Sequence, residues 1–205
     1  MIICLEGPSA VGKTSTSRLL SERLGATVIS EVNALFKRSE TESETWYLER
    51  QIDRWNMAVG ESAAGRLVVL DGDPFQPLWY NWSYGFVGLQ SLEALRSFYR
   101  PAIVEGLLSF PDIYVHLTAE EGEIRRRKDA DATRSRRNFE DHLRLLTTQT
   151  QYFNAMSFIL PSIVERVHTV TVQQNVSEID RIITNNRCVT INSLALFDRL
   201  TDWLS

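Results

Sequence analysis

Short apolar and β-branched runs alternate along this chain with longer stretches in which apolar residues recur every three or four positions. The first run, Ile2-Ile3-Cys4-Leu5, closes on Glu6 and predicts a strand over Ile2–Glu6. A helix is predicted over Lys13–Leu24, with Gly25 as its stop. A second strand covers residues 27–30. Leu48, Ile52, Trp55 and Val59 then follow at spacings of four, three and four, the period of a helix with one apolar face. Gly65 precedes a third strand, 67–71, in which Leu67-Val68-Val69-Leu70 ends on Asp71. Residues 73–88 are rich in Pro, Gly and aromatic residues and read as a long loop or a broken helix. A helix over 91–106 leads to a fourth strand, 113–117, and a strongly charged stretch fills 120–137. Another helix runs over 139–158 and stops before Pro161; a fifth strand over 167–172 precedes a helix near 177–184. Residues 186–205 read as an amphipathic tail. Strands and helices alternating in this way predict an α/β fold, a parallel sheet covered on both faces. With 205 residues and no repeat, linker or low-complexity tract, one domain over 1–205 is expected.

Composition removes several partners. The formal net charge of −4 and pI near 5.5 weigh against a nucleic-acid polymer, which favours a basic face. A small anionic ligand stays open, because local charge decides that. Cys4 and Cys188 make neither a disulfide framework nor a zinc pattern, and Cys4 reads as a small buried hydrophobe. The opening Met1-Ile2-Ile3 lacks the basic flank of a signal peptide. No apolar run approaches the roughly 20 residues that span a bilayer. No membrane partner is expected, and the cytoplasm is the expected location.

The candidate chemistry begins at Gly7-Pro8-Ser9-Ala10-Val11-Gly12-Lys13-Thr14, a complete G-x-x-x-x-G-K-[ST] between a predicted strand and a predicted helix. Glycines let the backbone curl so that successive N–H groups cradle phosphate oxygens, and the helix N-terminus adds partial positive charge. Expected phosphate contacts are Gly7, Ser9, Ala10, Val11, Gly12, Lys13, Thr14 and Ser15. Lys13 would reach the β- and γ-phosphates, and Thr14 would offer its hydroxyl to Mg²⁺. A chance match would have to fall in register with both elements.

Other candidates sit at the carboxyl ends of strands, where open α/β sheets bind ligands. Glu31, beyond the second strand, can take a proton from an acceptor hydroxyl, or it is a solvated loop residue. Asp71 suits a second Mg²⁺-directed oxygen ligand, or a cap around Gly72 and Pro74. Asp73 is open between substrate contact and turn. Arg125, Arg126, Arg127, Lys128, Arg134, Arg136 and Arg137 either form a solvated face or neutralise a transferring phosphoryl group; Arg127 and Arg134 are the expected phosphate contacts. Tyr47, Gln51 and Arg54, at spacings of four and three, share one side of their helix and line either an acceptor pocket or the surface. Trp79, Tyr80, Trp82, Tyr84 and Phe86 serve that pocket, the core or a dimer surface. His116, inside a strand, reads as structural.

In order and content these pieces resemble the P-loop deoxynucleoside kinases and their thymidylate kinase relatives. The resemblance runs from about Ile2 to Val172. It rests on the P-loop, on Ser30-Glu31-Val32 after strand two, on Pro111-Asp112-Ile113-Tyr114-Val115-His116-Leu117, and on the Arg-rich segment from Glu123. It implies a doubly wound sheet of five parallel strands in the order 2-3-1-4-5, and ATP with Mg²⁺ on the P-loop. It further implies Glu31 as base, Gln51 as reader of a nucleobase edge, and a lid over about 120–137. A homodimer through 89–106 and 139–158 also follows from it. Three departures fall where the acceptor would sit: Gly72 replaces an arginine, Val32 replaces a proline, and residues 73–82 differ from their counterpart.

The expected function is thus an ATP-dependent kinase of a small molecule, passing the γ-phosphoryl group to a hydroxyl or phosphate of a nucleoside-like or nucleotide-like acceptor. Another hydroxylated acceptor, an antibiotic or a metabolite, is the nearest alternative. A nucleotide-dependent switch or ATPase, with residues 79–86 as its partner surface, is the alternative of a different class.

Overall fold

The strands of this chain are runs of Val, Ile and Leu too apolar to leave either face in water, which is how strands of a parallel sheet read. The computed structural model of the chain describes residues 1–38, 41–130, 139–185 and 191–205. β1 (Ile2–Glu6), β2 (Thr27–Ile29), β3 (Val68–Asp71), β4 (Ile113–Thr118) and β5 (Val164–His168) form one parallel sheet in the order β2-β3-β1-β4-β5. Side chains alternate across it. Cys4, Leu70 and Tyr114 face a core built with α3 (Trp46–Ala63), α4 (Gln76–Ser83), α5 (Leu92–Val104), α8 (Leu146–Ile159) and α10 (Ser193–Trp203). Ile3, Leu5, Val69 and Val115 face the other core, closed by α1 (Lys13–Leu24) and α9 (Val172–Asn185). Short α2 (Val32–Leu35) follows β2, while α6 (Glu121–Ala130) and α7 (Phe139–Arg144) follow β4.

Local chemistry sets the ends. Gly25 stops α1 in the left-handed region at φ 66°. Ser91 Oγ accepts the Ala94 N–H at 3.1 Å, and Asn192 Oδ1 accepts the Ala195 N–H at 3.0 Å, capping α5 and α10.

Four elements differ from the pattern-based expectation. Residues 73–88 hold α4, a helix with Pro77 in its first turn, where Pro removes no needed donor. The helix expected over 139–158 is α7 and α8, parted at Leu145. The fifth strand lies over Val164–His168, not 167–172. Pairing with β4 runs from Tyr114↔Val164 to Thr118↔His168 and ends where β4 ends. The β-branched residues beyond it therefore turn away, and α9 starts at Val172, earlier than the expected 177. Strand propensity over 169–172 is overridden by the lack of a partner strand. Arg134, Arg136, Arg137 and Cys188 lie outside the described residues. Among the described residues no helix is long and apolar enough to cross a membrane.

Phe75 shows how tightly the segment behind β3 is anchored. It is fully buried, stacks on Phe110 at 4.2 Å and meets Tyr99 at 5.2 Å. Phe75→Ala is expected to lower stability by about 3–5 kcal/mol, read from the shift of the urea midpoint at constant m-value.

Candidate active site

The loop between β1 and α1 has the backbone handedness of an anion cradle. Gly7 (φ 139°), Ala10 (φ 68°) and Gly12 (φ 110°) take positive φ among residues of ordinary handedness. Such alternation turns N–H groups toward one concavity, here at the start of α1. At Gly7 a Cβ would sit 2.3 Å from the Leu117 carbonyl oxygen, so only glycine fits against β4. Lys13 lies over the loop, donating from Nζ to the Gly7 carbonyl at 2.7 Å.

The sheet register brings carboxylates to this cradle. Asp71 ends β3 opposite Leu5, so Thr14 Oγ1 donates to Asp71 Oδ2 at 3.2 Å. Asp71 Oδ1 is buried with no partner. Burial raises the Asp71 carboxyl above the usual range, and Lys13 works against that rise. Glu31 is exposed at the N-terminus of α2 and lies beside Gly72, where a Cβ would stand 3.4 Å from Glu31 Cγ. The position where the resemblance expects an arginine is therefore a positive-φ glycine (φ 95°) under the Glu31 side chain.

Arg54 explains how the two strand ends are held. It is 1% exposed. Its Nε donates to Ser30 O at 2.8 Å, and Nη2 donates to Asp71 O at 2.9 Å and Gly72 O at 3.1 Å. Nη1 donates to Gln51 Oε1 at 2.6 Å. The fork thus ties the backbone before Glu31 to that of Asp71, a geometry a lysine ammonium cannot copy.

A second acid cluster lies beneath the cradle. Glu6 Oε2 accepts from the Gly7 N–H and from Gln149 Nε2, each at 3.0 Å, and Oε1 accepts from the Asp73 N–H at 2.7 Å. Asp73 Oδ1 accepts from the Phe75 N–H at 2.9 Å and the Tyr114 hydroxyl at 2.7 Å, while Oδ2 is buried without a partner. Burial, with the charge of Glu6 beside it, lifts the Asp73 carboxyl to about 7. His116 pairs in register with Glu6 and packs 4.9 Å from the Phe153 ring; burial holds it down to about 4, a neutral structural imidazole.

The charged helix α6 docks on the cradle through Arg127. Arg127 donates to Val11 O at 2.9 Å, Thr169 Oγ1 at 2.8 Å, Thr169 O at 3.1 Å and Val170 O at 3.2 Å, and it pairs with Glu123 at 2.6 Å. It was expected at phosphate. Its donors instead bridge the P-loop to the turn after β5.

The cradle, Glu6, Glu31, Arg54 and Arg127 border one cleft of about 760 Å³, ample for two small substrates. Of the residues singled out from sequence, the P-loop from Gly7 to Ser15, Glu31, Tyr47, Arg54, Gly72, Trp79, Tyr80, Arg126 and Arg127 line it. Asp71 sits just behind Thr14. Gln51 and Asp73, expected as substrate contacts, are buried behind the wall, because Gln51 is held by Arg54 and Asp73 by Tyr114 and Phe75. After β5, Val170, Thr171, Val172 and Asn175 border the cleft at the start of α9. Glu6, Gln76 and Gln149 also line it and were not singled out. Glu6 carried a signal, a carboxylate closing an apolar strand as Asp71 does. Gln76 and Gln149 carried none, since only packing brings α4 and α8 to the cleft.

No protein-family profile matches the chain. Over 72 residues, 35% of its length, it is 40% identical to "Putative adenylate kinase" of Thermococcus onnurineus (strain NA1), and the match spans 40% of that relative. In structure it is similar to deoxyadenosine kinase from M. mycoides with bound dATP, at 17% identity and TM-score 0.60, covering 90% of this chain and 100% of that one. It is also similar to thymidylate kinase from Candida albicans (15%, TM-score 0.58, 90% and 91%) and from Ehrlichia chaffeensis (14%, TM-score 0.55, 89% and 98%). The fold is therefore that of the P-loop nucleoside and nucleotide kinases, as the motifs implied. The chemistry of this particular chain has to be argued from its own cleft.

Two outcomes test the buried frame. A carboxyl whose pKa rises on folding binds more protons folded than unfolded. Between about pH 4 and pH 7, Asp73 therefore makes stability fall as pH rises, by at most about 1.4 kcal/mol per pH unit. Urea unfolding at pH 5 and pH 8 should show a smaller loss for Asp73→Asn than for wild type, and equal losses would refute the assignment. Arg54→Met should cost about 3–5 kcal/mol in thermal or chemical unfolding, with Arg54→Lys recovering little of it.

Proposed function

We propose that the protein is an ATP-dependent phosphotransferase that passes the γ-phosphoryl group to a small acceptor held beside Glu31. One observation carries the reading: the P-loop cradle, Thr14 with Asp71 bonded behind it, and the Glu31 carboxylate meet at a single cleft. A switch needs the first two alone. A carboxylate across the cradle from the phosphates adds a base for an acceptor.

In this reading the loop N–H groups, the N-terminus of α1 and Lys13 bind the β- and γ-phosphates. The Thr14 hydroxyl and Asp71 offer hard oxygen ligands, and the unpartnered Asp71 Oδ1 fits a cation. No group of three or more acidic, His or Cys side chains suited to a metal occurs among the described residues. That suits Mg²⁺, which takes one or two protein ligands and fills its shell with phosphate oxygens and water. When bound, Mg²⁺ supplies charge neutralisation between the β- and γ-oxygens. Glu31 takes the proton of an acceptor hydroxyl. Arg127 keeps the lid's first helix against the P-loop, and Arg134, which lies outside the described residues, keeps its proposed role at the transferring group. The acceptor is nucleoside-like or nucleotide-like, in keeping with the deoxyadenosine and thymidylate kinase structures that share the fold. The reading includes a cytoplasmic location and a homodimer through 89–106 and 139–158. Exposed Leu89, Val104 and Phe158 in those segments support the dimer.

Transfer of label from γ-labelled ATP to a panel of nucleosides, nucleotides and hydroxylated antibiotics tests this. Labelled product is expected, with kcat about 10²–10⁴-fold lower in Glu31→Gln. A loss within about threefold would remove Glu31 as base, and nucleotide binding with no product at all would favour a switch.

A further inference from the structure

We infer that the acceptor half of the cleft takes an uncharged compound bearing a hydroxyl and a flat apolar face, and that it turns phosphomonoesters away. This rests on the kinase reading above and names the acceptor's chemical class.

The acceptor half is walled by Glu31, Tyr47, Arg54, Gln76, Trp79 and Tyr80, with Gly72 at its floor. Among the described residues its sole cation is Arg54. That guanidinium gives three of its donor contacts to main-chain carbonyls and one to Gln51. It is fixed as a strand brace and is not presented to a ligand. Lys13, Arg18, Arg126 and Arg127, which also line the cleft, stand on the P-loop helix or the lid helix at the phosphate-donor side. The floor offers no replacement. At Gly72 a side chain would point at Glu31, at 3.4 Å from Cγ, and at Glu6, at 3.9 Å from Oε1. A phosphomonoester placed there would face two carboxylates, while Lys13, the cation that acts on Glu6, is held over the P-loop by the Gly7 carbonyl; like charges in close contact cost several kcal/mol.

The chemistry of the attack points the same way. A hydroxyl must lose its proton as it becomes a nucleophile, and Glu31 beside the P-loop serves that need. A phosphomonoester, with its second pKa near 6, arrives already ionised and gains only repulsion from Glu31. The rest of the wall suits a neutral, flat molecule. The Trp79 and Tyr80 rings meet edge to face at 5.9 Å and border the cleft. The Trp79 indole N–H is buried without a partner. The Tyr47 hydroxyl donates to Gln76 Oε1 at 2.6 Å, which leaves the Gln76 amide N–H groups to donate elsewhere. The spare Gln76 amide donors beside aromatic rings recognise carbonyl or ring-nitrogen acceptors on a planar group.

The experiment uses the full chain with γ-labelled ATP and Mg²⁺. The acceptors are the pairs deoxyadenosine and dAMP, deoxycytidine and dCMP, and thymidine and dTMP, with chloramphenicol as an uncharged hydroxyl compound that is not a nucleoside. Label is expected on uncharged acceptors, with kcat/KM at least about tenfold above that of the matched monophosphate. Label on a nucleoside or on chloramphenicol alone identifies which uncharged source fits, and either supports the inference. A monophosphate that equals or exceeds its nucleoside overturns the inference and leaves the kinase reading standing. ATP binding with label on no acceptor overturns the kinase reading and the inference with it. Gln76→Lys adds a cation to this wall and should move the nucleoside-to-monophosphate ratio about tenfold toward the monophosphate. An unchanged ratio would mean that charge at the wall does not set selectivity, and would overturn the inference.

Discussion

A buried guanidinium is stable only when its fixed fork of donors is met on every side, and Arg54 meets its partners across two strands. Ser30 at the end of β2, and Asp71 and Gly72 at the end of β3, all lend it main-chain oxygens. Those are the strand ends that carry Glu31 and Asp71. The relative position of Glu31 and Asp71 is therefore set by one side chain from α3. The positive charge that a kinase cleft would otherwise offer an acceptor is committed to the frame. The same atom set explains why the cleft wall around Glu31 gains no outward guanidinium from α3 and why Gln51 is pulled out of it.

Around that brace the acids are sorted by surroundings. Glu31 stands in the open cleft, Asp71 lies half-way in beside Thr14, and Asp73 is sealed behind Tyr114 with its carboxyl lifted to about 7. Glu6, held by Gly7, Asp73 and Gln149, links the cradle to this inner acid. Four carboxylates around one cleft would repel an anion if all were exposed and ionised. Burial takes Asp73 out of contact with the cleft, while Lys13 acts on Glu6 and Asp71, and Thr14 donates to Asp71.

The charged stretch after β4 shows a different division of labour. Glu121 and Glu140 pair with Arg125, while Glu123 holds Arg126 and Arg127. Arg127 then reaches main-chain oxygens of the P-loop and of the turn after β5. A run of basic residues thus serves partly to dock α6 on the P-loop and on the turn after β5.

The sequence alone determined the elements whose signals are local. β1, α1 with Gly25, the P-loop and β3 with its terminal Asp71 were legible because hydrophobic period, glycine handedness and a fixed motif act within a few residues. The five parallel strands and their order were legible through the resemblance those motifs carry. Tertiary structure decided what no local signal contains. β5 ends at His168 because β4 ends beside it, not because Thr169 to Val172 are poor strand formers. Arg54 and Gln51 share a helix face with Tyr47, yet only Tyr47 and Arg54 reach the cleft, and Arg54 is claimed by carbonyls 17, 18 and 24 positions away in the chain. Hydrogen-bond partners distant in sequence fix which polar groups are free to meet a ligand, and that allocation exists only once the strands are paired.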